Sequence, residues 1–224
     1  MVVVVDYGAG NLRSVEKALR SLGHAVQVTQ APEVVRRAEA LILPGVGAAA
    51  DTMRALNGLG LSEAVREYAR AGRPFLGVCM GLQALLTGSE EGGWQPCLDL
   101  IPGRVRRFFE GAAPAPDLKV PHMGWNRVRQ VQSHAIFEGI PNDSYFYFVH
   151  SYYVAPDDPG VIAATTDYGL TFPCVLIQDN LIGTQFHPEK SSDLGLRLYD
   201  NFVRLSARRL HPASAVSYRG PRRD

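Results

Sequence analysis

The sequence predicts a doubly wound α/β fold with a mostly parallel central sheet, helices on both faces, and a mixed or antiparallel extension. Three observations predict it. Four short runs in the first half, Val2–Val5, Ala25–Val28, Ala40–Leu43 and Phe75–Val78, are apolar at consecutive positions, Gln27 excepted, instead of alternating, which marks strands buried on both faces. Segments of helical period separate them. Gly8, Gly45 and Cys79 all sit just after strands, so three loops gather at one edge of the sheet, the carboxyl edge where such sheets bind ligands.

Each element has a local cause. After Val2–Val5, Asn11 stands where a helix N-cap is wanted, and Leu12, Val15, Leu19 and Leu22 then fall on one helical face until Gly23 closes the turn. Pro32 opens a short helix through Arg37. The strand Ala40–Leu43 delivers the chain to Pro44-Gly45-Val46-Gly47, and a helix over Leu61–Ala71 precedes the fourth strand. That strand ends at Cys79, with a helix-like segment over Leu82–Leu86 beyond it. After Gly88, strand-like runs at Arg104–Phe109, Tyr145–Val149, Val161–Thr165, Cys174–Gln178 and Leu181–Gln185 are joined by turns rich in Pro, Gly and Asp. A last helix starts near Leu194, with Leu194, Leu198, Phe202 and Leu205 inward. Residues 1–205 read as a single domain and 206–224 as a frayed tail.

Bulk properties exclude several classes. A chain of 224 residues, 46% apolar and 20% charged, suits one globular domain, and a net charge of +1 gives no electrostatic reason to bind nucleic acid or an anionic membrane. Only Lys17, Lys119 and Lys190 are lysines among 23 basic residues. No run approaches the ~20 apolar residues of a membrane span, and the N-terminus lacks the basic segment of a signal peptide. Cys79, Cys97 and Cys174 have no metal-ligand spacing and an odd count, so neither a metal site nor a disulfide framework is expected, and a cytoplasmic location follows. No cofactor is expected either: Gly8-Ala9-Gly10 is followed by Arg13 where a dinucleotide fingerprint needs Gly, and Val28-Thr29-Gln30 offers no acidic ribose ligand.

Gly77-Val78-Cys79-Met80-Gly81 has the form of a nucleophile elbow, in which a strand bends sharply into a helix with the reactive side chain at the bend. The glycines leave room where a Cβ would clash. A structural cysteine in a strand-turn-helix would fit the pentapeptide as well. Far downstream, Gln185-Phe186-His187-Pro188-Glu189-Lys190 places a histidine at a strand end, two residues before a carboxylate able to orient it. Gln83, one turn beyond Cys79, reaches towards a substrate. The Gly45-Val46-Gly47 loop, together with the Met80 amide, suits an oxyanion hole.

The elbow and the His-Pro-Glu motif together resemble the class I (triad) glutamine amidotransferases. Within that class, Asp6-Tyr7-Gly8-Ala9-Gly10-Asn11, Pro121-His122-Met123-Gly124-Trp125-Asn126 and Phe148-Val149-His150-Ser151-Tyr152 are similar to the glutaminase subunits of imidazole glycerol phosphate synthase, over about Val2 to Leu205. The resemblance implies Cys79 as nucleophile, His187 as base and Glu189 as its orienting group, with glutamine held by Glu91 and the backbone at Ser151 and Tyr152. It implies that the Val46 peptide reorients between inactive and active states. It also turns Asn11, Met123, Trp125, Tyr147 and Lys190 towards a (β/α)8 cyclase subunit, although the aromatic residues read alone could equally be core. A glutaminase serving another synthase, or a stress-protein-like cysteine hydrolase on a similar sheet, are the alternatives.

Overall fold

Four parallel strands, β1 (Val2–Val5), β2 (Val26–Thr29), β3 (Ala40–Leu43) and β4 (Phe75–Val78), start the central sheet in the computed structural model, which describes residues 1–8, 10–110 and 118–210. Between them run α1 (Leu12–Ser21), α2 (Pro32–Arg37), α3 (Ala49–Gly58) and α4 (Leu61–Arg70). After β4 come α5 (Met80–Gln83), β5 (Leu86–Ser89), β6 (Gln95–Pro96), β7 (Ile101–Arg107), β8 (His122–Gln130), β9 (Ser144–His150) and β10 (Tyr152–Pro156). The chain continues through β11 (Ile162–Asp167), β12 (Thr171–Gln178), β13 (Leu181–Thr184) and α6 (Ser192–Leu210).

The central sheet has nine strands in the order β2-β1-β3-β4-β13-β12-β11-β8-β9. Pairing is parallel from β2 to β13 and antiparallel from there to β9. Consecutive strand residues feed opposite faces. Val2, Val4, Ile42 and Leu76 pack with Val15, Leu19, Tyr199 and Phe202, whereas Val3, Val5, Leu41, Leu43 and Phe75 pack with Val35, Leu56 and Val65. Both faces are covered by helices, so neither set of side chains can be polar. For the site, the decisive pairing is β13 alongside β4, with Thr184 opposite Val78. It brings Cys79 and His187, more than a hundred residues apart in sequence, out at the same edge.

Several elements differ from expectation. Helix α3 is absent from the sequence reading because its apolar positions are few; Thr52, Met53 and Leu56 form its buried strip. The helix after the elbow is Met80–Gln83, not Leu82–Leu86. The Ala84 and Leu85 carbonyls accept from the backbone of Leu98, Leu100 and Ile101, so the helix stops and Leu86 begins a strand. That strand belongs to a second, four-stranded sheet, β10-β7-β5-β6, where an extension of the first sheet alone was expected. Helix α6 runs through residues 206–210, where a frayed tail was expected, with the Ser206 hydroxyl donating to the Phe202 carbonyl at 2.8 Å; residues 211–224 lie outside those described. Among the described residues no helix is long and apolar enough to cross a membrane.

Candidate active site

Cys79 occupies a bend no ordinary strand or helix residue adopts, with φ 54° and ψ −104°. Such a backbone costs roughly 1–3 kcal/mol and persists only where its surroundings over-determine it. Here the Cys79 amide donates to the Thr184 carbonyl at 2.7 Å, and the Cys79 carbonyl accepts from the Gln83 amide at 3.1 Å. The flanking glycines let the backbones touch. A Cβ on Gly77 would lie 2.6 Å from the Gly81 carbonyl oxygen, and one on Gly81 would lie 1.8 Å from the Leu43 carbonyl oxygen. Gly81→Ala should therefore force β3 and α5 apart. The expected loss is about 3 kcal/mol or more, a fall in Tm of roughly 6–12 °C. An unchanged melting curve would show that the approach to Leu43 relaxes at no cost.

His187 stands beyond the end of β13, with Glu189 following on the single turn Pro188–Lys190. Its Nδ1 lies 2.8 Å from Glu189 Oε1, and each of these side chains is 2% exposed. Tyr199 donates to the other carboxylate oxygen at 3.2 Å. With Nδ1 facing a carboxylate, Nε2 is the nitrogen free for proton transfer. That atom is buried without a hydrogen bond of normal geometry among the described residues, Cys79 being its polar neighbour. Burial opposes the imidazolium, but the hydrogen bonds and charges of Cys79 and Glu189 outweigh it and raise His187 to about 10. The Cys79 sulfur sits 4.0 Å from the Val149 carbonyl and 3.7 Å from Gln185 Nε2.

A cleft of about 410 Å³ opens over these groups. Its lining includes Val46, Gly47 and Met80, Gln83 and Glu91, the Ser151–Tyr152 segment, and Cys79, His187 and Lys190. Gly45 stands behind the wall: a Cβ there would lie 2.5 Å from the Tyr7 hydroxyl and 2.7 Å from Met80 Cβ, so its glycine serves close approach and not loop freedom. The Tyr7 hydroxyl is buried without a hydrogen bond of normal geometry, the Val46 amide and Thr52 being its polar neighbours, and burial pushes it up to about 12. Glu91 accepts from the Ala49 amide at 2.7 Å, the first residue of α3, which fixes its carboxylate at the rim. Gln83 spends its amide nitrogen inside the protein, on the Tyr152 carbonyl at 3.0 Å and Gln185 Oε1 at 3.2 Å.

His150 also borders the cleft, but both its nitrogens are engaged, by the Tyr152 carbonyl at 2.8 Å and by His122 at 3.0 Å. Burial lowers His150 to about 3 and His122 to about 4, so neither competes with His187 as a base.

The expected partner-facing residues form a separate group. Met123 and Trp125 are 62% and 51% exposed on one face of β8, with Trp125 set edge-on to Tyr147 at 6.1 Å. Trp125 thus lies within a strand, and the register of β8 on β9 carries it across from Tyr147. Lys190 Nζ stands 5.7 Å above the Tyr147 ring and joins this surface to the cleft. Asn11 caps α1 through its backbone carbonyl alone and leaves its side chain exposed. Gln185 was missed in the sequence. Its signal was its position two residues before His187, which puts both side chains on one side of an extended chain.

With this geometry in place, comparison identifies the class. The family described as glutamine amidotransferase class-I matches residues 3–205, and the chain belongs to that family. A chain of the PurLQS structure from Thermotoga maritima superposes with a TM-score of 0.70 at 15% identity, covering 91% of this chain and 97% of that one, a likeness of fold. Sequence relatives narrow it further. The imidazole glycerol phosphate synthase subunit HisH of Dehalococcoides mccartyi is 50% identical over 206 residues, 92% of this chain and 98% of that protein. HisH of Chloroflexus aurantiacus is 51% identical over 209 residues, covering 92% and 96%. Within its class the chain groups with the HisH subunits.

Proposed function

We propose that this chain is the glutaminase subunit of an imidazole glycerol phosphate synthase, releasing ammonia from glutamine for a partner subunit. The observation that carries the reading is the juxtaposition, at the carboxyl edge of β4 and β13, of a strained Cys79 with a buried His187–Glu189 pair whose Nε2 is unspent. The Cys79 thiolate attacks the side-chain amide carbon of glutamine. The oxyanion is held by the Met80 amide and by the Gly45-Val46-Gly47 loop. His187, oriented by Glu189, gives its proton to the departing ammonia and then activates the water that hydrolyses the glutamyl thioester. Glu91 takes the substrate α-amino group, the Ser151 and Tyr152 backbone its carboxylate, and Gln83 shapes the wall between them.

Ammonia released into bulk water would be protonated and lost, so the product needs an enclosed route. The surface of Met123, Trp125 and Tyr147 with Lys190 beside it, together with Asn11, is where a (β/α)8 cyclase subunit docks. Lys190 at the cleft mouth pairs with an acid across that interface. The Val46 amide lies near Tyr7, and docking turns it towards the oxyanion, so the isolated subunit hydrolyses glutamine poorly. The cyclase uses the ammonia to make imidazole glycerol phosphate and aminoimidazole carboxamide ribotide, in histidine biosynthesis. Residues 1–205 carry all of this as one domain.

The test is co-purification with a barrel cyclase, followed by synthesis assayed with glutamine and with ammonium salt. Both sources should support product in the complex, and only the salt should do so with the cyclase alone. Trp125→Ala should weaken the complex by about 2 kcal/mol or more, roughly 30-fold in Kd by titration calorimetry. The fold of the free subunit should be unchanged. A variant that binds and couples like the parent would remove Trp125 from the interface.

A further inference from the structure

Gln185 is completely buried between Cys79 and Gln83, and nothing in the nucleophile, base and carboxylate scheme uses it. A buried amide must place every polar atom against a complementary partner, so the partners decide which way it faces. The Tyr152 carbonyl only accepts, so the Gln83 group 3.0 Å from it is Nε2. The second hydrogen on that nitrogen meets Gln185 Oε1 at 3.2 Å. Gln185 is then left with Nε2 towards the Cys79 sulfur, at 3.7 Å. Turned the other way, Gln185 would set nitrogen against nitrogen at Gln83 and a carbonyl oxygen against the sulfur.

The same carbonyl is fixed from its other side. His150 donates from Nδ1 to the Tyr152 carbonyl at 2.8 Å and accepts at Nε2 from His122 Nδ1 at 3.0 Å. His122 Nε2 accepts in turn from Asn126 Nδ2 at 3.2 Å, and the Asn126 oxygen accepts from the Arg127 amide at 2.8 Å, which settles that amide too. Every member of the row is satisfied in one sense only. A carbonyl at the centre therefore sets the polarity of the group against the nucleophile.

We propose that the Gln185 side-chain N–H, held in one orientation by Gln83 and the Tyr152 carbonyl, donates to the Cys79 thiolate and belongs to the catalytic machinery. Gln83, His150 and His122 are positioning residues for it. The inference rests on Cys79 being the nucleophile. The titratable groups around the sulfur are Tyr7 from the loop after β1, His150 at the end of β9, His187 backed by Glu189 and Tyr199, and, lining the same cleft, Glu91, Tyr152 and Lys190. His187 is the other group able to donate to the sulfur, and it is unchanged in both Gln185 variants below.

The experiment follows alkylation of Cys79 by iodoacetamide in the full chain as a function of pH, read by peptide mass spectrometry at that residue. Gln185→Met removes the donor at similar volume. It should raise the midpoint of thiolate formation by about one pH unit and slow alkylation near neutral pH about tenfold. Gln185→Glu sets an acceptor beside the anion and should be slower still. A Gln185→Met variant with the parent's profile, or a Gln185→Glu variant that alkylates faster than the parent, would overturn the proposal. Should both variants fail to fold, the parent chain decides. The Gln185 side-chain amide resonances should shift with the midpoint of Cys79 alkylation, and indifference to it would overturn the proposal equally. Alkylation needs no glutamine turnover, so a failure of the glutaminase reading would show separately, as a reactive Gln185-dependent thiol without hydrolysis.

Discussion

Cys79→Ala is expected to abolish glutamine hydrolysis, lowering kcat by about 10⁴-fold or more, the scale of losing the nucleophile from a triad. The change removes one buried sulfur at a bend held by backbone contacts to Thr184 and Gln83. Partner binding and ammonium-dependent synthesis should persist in the complex. Residual glutaminase activity near the parent's would remove the central claim. The same variant has an electrostatic readout. Two of the influences that raise His187 come from Cys79, a hydrogen bond and a charge, and the loss of both leaves burial opposed by Glu189 alone. The His187 pKa should fall from about 10, observable by imidazole NMR. A raised pKa stabilises the fold fully below the usual 6.5 and ceases to do so as pH rises through about 10. In Cys79→Ala that contribution should be smaller and should be exhausted at lower pH.

His187→Ala should be nearly as damaging, because no other group in the cleft can both protonate the leaving ammonia and activate water. Thioester formation should fall by about 10⁴-fold. Glu189→Gln should be intermediate, about 10²–10³-fold, since the amide retains the size and part of the hydrogen bonding while the charge supporting the imidazolium is gone. Burst-phase trapping of the glutamyl thioester separates the steps. If His150→Ala eliminated the thioester while His187→Ala retained it, the base would have been assigned wrongly.

Much of this site is legible from residue types because its chemistry is local. The elbow needs glycine at 77 and 81 whatever the rest of the chain does, and His187-Pro188-Glu189 holds its ion pair within a single turn. The parallel strands are legible for a related reason: burial on both faces leaves no polar alternation to misread. What the sequence conceals depends on contacts between distant segments. Helix α5 is cut short by carbonyl bonds from residues 98–101, and the second sheet arises from β5, β6, β7 and β10, whose runs are short and mixed. Trp125 sits in a strand because β9 supplies the register, not because Gly124-Trp125-Asn126 favours one. Gln185 escapes notice because a glutamine declares a role only through its neighbours, and these lie on β10 and α5.

The place of β13 between β4 and β12 has a consequence for the order in which the protein is made. A ribosome that has delivered the elbow has delivered neither the histidine nor the strand that aligns it. Until residues 181–187 emerge, the nascent chain carries Cys79 without His187, and on the proposed mechanism premature glutamine breakdown is foreclosed by the order of synthesis. The same interval leaves β4 with an open hydrogen-bonding edge flanked by apolar side chains, the kind of surface on which unfinished chains pair with one another. Competence and protection from aggregation arrive together, with one late strand of four residues.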